Sequence, residues 1–83
     1  MSARKIPDRE INPIASFVRE RRRAGGLTQP ELAALAGVGL RFIVDLERGK
    51  RTLRMDTVNA VLGVFGKMVG VVDAPRKPQG EAR

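Results

Sequence analysis

Arg41 and Asp45 stand four residues apart in the stretch LRFIVDLE, residues 40–47, a spacing that stacks them one turn apart on the same side of a helix. A guanidinium fork near the start of an exposed helix suits planar acceptors. It matches the O6 and N7 atoms of a guanine in a duplex groove, or, more plainly, it takes a phosphate oxygen. Both roles stay open for Arg41. Asp45 can accept from cytosine N4 or simply orient Arg41, and Leu40 and Val44 on the same stripe can touch thymine methyl groups. Phe42 either faces that partner or packs inward with the core, the commoner fate of a lone aromatic. Further on, Lys50, Arg51 and Arg54 form a basic loop interrupted by Thr52 and Leu53, which reads as a set of phosphate contacts or as a solvated surface.

The charge balance agrees with a polyanionic partner. The 83 residues carry 16 Lys and Arg against 9 Asp and Glu, a net charge of +7, which favours nucleic acid first and an anionic membrane surface second. Catalysis fits poorly. Cysteine and histidine are absent, which removes disulfides, thiol chemistry and the common zinc sites. Serine occurs only at Ser2 and Ser16, and Gly63, Gly66 and Gly70 lack the strand and lysine context of a phosphate-binding loop. No enzyme activity, metal or cofactor is expected. No apolar run approaches the roughly 20 residues of a membrane span, and the start of the chain has no signal-peptide core, so a cytoplasmic location is expected.

The elements that must position these residues announce themselves by their caps. Asn12 followed by Pro13 is an N-cap with proline at the first helical position, and Ile14, Phe17 and Val18 mark one buried face, so a helix is predicted from about Pro13 to Ala24. Its second half, RERRR over residues 19–23, holds four arginines that cannot all point at a core. Thr28 with Glu31 three residues on forms a capping box, and Pro30 sits in the first turn. Gly37 supplies the stop of that second helix. Val38 then plugs the turn, Gly39 takes the next N-cap, and Phe42, Ile43 and Leu46 recur at helical spacing until Gly49. Two short helices around one tight turn are the pattern of a helix-turn-helix, the second helix being the reader. Thr28 and Gln29 open the first of the two, where free N–H groups and the positive dipole end attract a phosphate. A fourth helix, opened by Asp56 as cap or first-turn acid, carries Val58, Val61, Leu62 and Phe65 and stops at Gly66.

Four segments follow from this reading. Residues 1–11 form an arm carrying Arg4, Lys5 and Arg9, and 12–66 a small helical domain. Residues 67–74 form a short β-branched strand, and 75–83 a disordered tail. A lone strand cannot satisfy its own edges. Met68, Val69, Val71 and Val72 are therefore expected to pair with a second copy of the chain, making a homodimer.

From Val18 to Gly66 the sequence resembles the Cro/C1-type (Xre) helix-turn-helix regulators: an arginine, then GLTQPELA, a Gly37-Val38 turn, ERGK over residues 47–50, and a closing helix ending in glycine. More narrowly, RFIVDLERGKRTLRMDTV, residues 41–58, with a short β-like tail is similar to the HipB-type antitoxins. The resemblance implies a mainly α fold, a four- to five-helix Cro/C1-type domain with a short C-terminal β-strand. It also implies a dimer joined partly through that strand, which represses its own toxin-antitoxin operon at a palindromic operator and restrains a HipA-like kinase toxin. It further implies that Arg22 and Glu47 pair between the first helix and the reader. Gly39 departs from the pattern, which usually has Ser or Thr there. The rival readings are a solitary Xre-type regulator without a toxin and a protein-interaction module that never touches DNA.

Overall fold

A computed structural model describes residues 12–73, and within them the chain forms four helices: α1 (Pro13–Ala24), α2 (Gln29–Ala36), α3 (Leu40–Glu47) and α4 (Met55–Val64). Two of the four starts carry side-chain caps, while α4 opens at Arg54 without one and has Asp56 as a first-turn acid. Asn12 Oδ1 accepts the Ala15 N–H at 3.2 Å and Pro13 fills the first turn. The capping box closes both ways, Thr28 Oγ1 accepting from Glu31 N at 3.2 Å and Glu31 Oε1 accepting from Thr28 N at 2.8 Å. At α3 the cap is bare: Gly39 offers no side chain, only its carbonyl to Phe42 and Ile43.

The ends share one device. Past α2, Gly37 turns left-handed at φ 72°, so that its own N–H reaches Ala34 O and the Val38 N–H reaches Ala33 O. This pair of bonds is the Schellman motif, and the left-handed residue in it is glycine because a Cβ would be strained there. The same pair of bonds recurs after α1, α3 and α4.

The helices bury one shared core of Val18, Leu32, Ala33, Ile43, Leu46, Val58, Val61 and Leu62. α3 lies against α1 and α2, and α2 lies against α4. Ile43, Leu46 and Glu47 face inward, which leaves the opposite side of α3 to solvent. Phe42 is half-buried against the core, the inward of its two readings. Phe17 meets Phe65 edge to face at 6.1 Å, tying α1 to the end of α4.

One expectation is corrected. Residues 67–73 contain neither helix nor strand. The Val69 N–H donates instead to Asn59 Oδ1 at 2.7 Å, and Val69 leans on the core, while Met68, Val71 and Val72 are exposed. β-Branched propensity alone makes no strand. It needs a neighbouring edge to bond, and the described part of a single chain supplies none. The arm of residues 1–11 and the tail of 75–83 lie outside the described residues.

Candidate nucleic-acid interface

The solvent side of α3 is a graded surface. Leu40 is 46% exposed, the Arg41 side chain 77%, and the Asp45 side chain 20%. Val44 is half-buried beside them. The Asp45 carboxylate sits between two cations, with Arg41 Nε at 3.4 Å from Oδ1 and Lys50 Nζ at 3.8 Å from Oδ2. Arg41, Asp45, Arg48 and Lys50 line one shallow cleft. The half-buried carboxylate thus directs an exposed guanidinium without neutralising the face, since Arg48 and Lys50 stand around it. Such a fork, held at its base with its tips free, is suited to paired acceptors on a planar edge. At the start of α3 the N–H groups of Leu40 and Arg41 have no partner among the described residues, so the positive end of the helix opens on the same surface.

The remaining cations divide. Lys50 belongs to the α3 cleft. Arg51 is exposed in the loop between α3 and α4. Arg54 is folded back on Asp56, Nη2 to Oδ2 at 2.8 Å and Nε to Oδ1 at 3.2 Å. These bonds hold the Asp56 carboxyl below the usual carboxylate range. A phosphate would have to compete with that carboxylate for Arg54. At α2 the Thr28 hydroxyl is spent on Glu31, Pro30 has no N–H, and the Gln29 amide turns inward. Only the Gln29 N–H is left without a partner among the described residues at that helix end.

Beneath the surface, one buried carboxylate joins three helices. Glu47 Oε2 accepts from Arg22 Nε, and Oε1 accepts from Arg22 Nη2 at 3.0 Å and from Gln29 Nε2 at 3.1 Å. Arg22 Nη1 also donates to Leu27 O, and Arg19 Nη1 to Glu47 O, both at 2.8 Å. The hydrogen bonds that Arg22 donates to the Glu47 carboxylate raise the Arg22 pKa above its ordinary value against the opposing pull of burial. The arrangement fixes α3 relative to α1 and to the start of α2, which sets the angle at which the outer stripe is presented. Arg19 and the inward turn of Gln29 were not anticipated from sequence. The usable signal was the three-residue step from Arg19 to Arg22, which puts both on the face of α1 that meets α3.

Residues 18–68 match the helix-turn-helix family model. The chain belongs to the helix-turn-helix family. Two relatives place it more closely. It is 48% identical over 59 residues to y4mF, an uncharacterized HTH-type transcriptional regulator of Sinorhizobium fredii, covering 71% of this chain and 78% of that protein. It also resembles a solved chain of a toxin-antitoxin module from Streptococcus pneumoniae at a TM-score of 0.65 and 35% identity, over 75% of this chain and 69% of that one. In helix-turn-helix terms α2 is the supporting helix and α3 the reading helix. No described helix is long and apolar enough to cross a membrane.

Proposed function

We propose that this helix-turn-helix protein is a cytoplasmic, sequence-specific DNA-binding repressor that acts as a symmetric dimer on an inverted-repeat operator. The observation that carries the reading is the outer stripe of α3, where Arg41 stands free at its tips and is steered from one turn away by Asp45. Arg41, Leu40, Val44 and Asp45 meet base edges, while Lys50, Arg51 and the N–H of Gln29 position the backbone. The protein is not an enzyme. Titration of a duplex from the chain's own promoter, at several salt concentrations, tests the proposal. The expected result is a linear fall of log affinity with log salt, at a slope of about 0.9 per neutralised phosphate. A flat salt dependence would remove DNA as the partner.

The likeness to a toxin-antitoxin module supports an antitoxin reading in general, and the resemblance of residues 41–58 to the HipB-type antitoxins narrows it to a HipB-type antitoxin whose partner is a HipA-like kinase. The likeness to y4mF is equally compatible with a solitary regulator. Co-expression with the products of the flanking genes separates the two: a kinase-like protein that co-purifies in fixed ratio supports the antitoxin, and its absence favours the solitary regulator.

A further inference from the structure

The reading helix is not the only cationic surface. Arg19, Arg23, Glu47 and Arg48 line an open cleft of about 550 Å³ between α1 and the end of α3. Its chemistry is unbalanced. Glu47 is the one acidic residue among the described residues of the lining, and its carboxylate already accepts a bidentate grip from Arg22. Three arginines therefore share a cleft with one acidic residue whose charge is already paired with Arg22. Arg19 is pinned by its bond to Glu47 O, while Arg23 and Arg48 have no anionic partner among the described residues. Arg19 and Arg23 are also four residues apart on one helix, a like-charge spacing that costs stability unless an anion screens it.

Arg48 is shared. It lines this cleft and also the cleft of Arg41, Asp45 and Lys50, so the cationic surface runs without a break from the reading helix onto α1. No apolar side chain is among the described residues of its lining. A protein partner would be expected to bring, and to need, an apolar anchor there. A phosphodiester needs only donors and charge, and arginine forks match its oxygens. We propose that Arg19, Arg23 and Arg48 form a second phosphate clamp, which holds the DNA backbone where it leaves the reading helix. The inference rests on the DNA-binding reading and extends the contact beyond the helix-turn-helix itself.

The test compares the parent with Arg23→Gln/Arg48→Gln and with Arg21→Gln, using a short random-sequence duplex and a promoter duplex. Arg21 is a fair control for net charge, because its guanidinium lies over the Phe17 ring at 5.4 Å, away from the cleft. The double variant should lower the salt slope by about 1 to 2, one or two phosphates at about 0.9 each, equally on both duplexes. Arg21→Gln should leave the slope where it was, and the double variant should melt no lower than the parent, because it relieves the like-charge spacing of Arg19 and Arg23. A slope unchanged in the double variant, or lowered as much per charge removed by Arg21→Gln, overturns the clamp while leaving the DNA reading intact. Loss of binding to poly-glutamate by the double variant, with an unchanged DNA slope, would overturn it in favour of an acidic protein partner. A parent that binds neither duplex in a salt-dependent way defeats both readings together.

Discussion

Arg22 grips Glu47 across 25 residues of sequence through two hydrogen bonds, and both side chains are nearly excluded from water, 11% and 4% exposed. Removing either partner strands a charge in a place it cannot be hydrated. Loss of one member of a buried pair costs about 3 to 5 kcal/mol, which is a large share of the roughly 5 to 15 kcal/mol that holds a domain of this kind together. Arg22→Ala and Glu47→Ala are each expected to melt early in urea, and the double variant to lose less than the sum of the two. Strictly additive losses would mean that the pair does not act as a unit.

Arg41→Ala should weaken operator binding by about 1 to 3 kcal/mol and relax sequence choice at one position in each half-site. Lys50→Ala should weaken operator and random duplex alike. Competition titrations with both duplexes decide it, because equal losses on the two for Arg41→Ala would reduce that residue to a phosphate contact.

Gly39 is a place where the protein can be improved. Its φ of −75° and ψ of 152° are open to any residue, a Cβ added there would meet nothing within 4 Å, and α3 has no side-chain cap. Gly39→Ser adds an acceptor for a free N–H and narrows the unfolded ensemble, for a gain of about 0.5 to 1 kcal/mol. Calorimetry should register a higher Tm. No rise would show that the serine hydroxyl does not cap α3.

How far this design could be seen beforehand depends on the range of the interaction. Helix limits were legible because caps are local: Asn12-Pro13, the Thr28–Glu31 box and the glycine after each helix act within a turn of the residues they govern. Arg22 with Glu47 was legible only through resemblance to a family, since nothing in composition or spacing links residues so far apart. The inward turn of Gln29 and the bond from Arg19 to the Glu47 carbonyl were not legible at all, because they depend on how α1 crosses α3. Met68 to Val72 misled in the opposite direction. Residue preference described a strand, and strand formation waits on a partner edge.

That partner is expected to be the same segment of a second copy. Met68, Val71 and Val72 are exposed apolar side chains next to a segment tied down by the Val69–Asn59 bond, so a second chain would find the backbone already held in place. Val71→Pro removes a backbone donor and fixes φ, which should prevent pairing, and no helix runs through this stretch to be damaged. Circular dichroism should therefore stay at the parent level while sedimentation velocity shows the species shift from dimer to monomer. Operator affinity should fall through lost avidity, since each half-site alone offers half the contacts, and raising the protein concentration should recover part of it. If Val71→Pro sediments as the same dimer as the parent, the segment is not the clasp, and the exposed Met55 face of α4 becomes the surface to vary next.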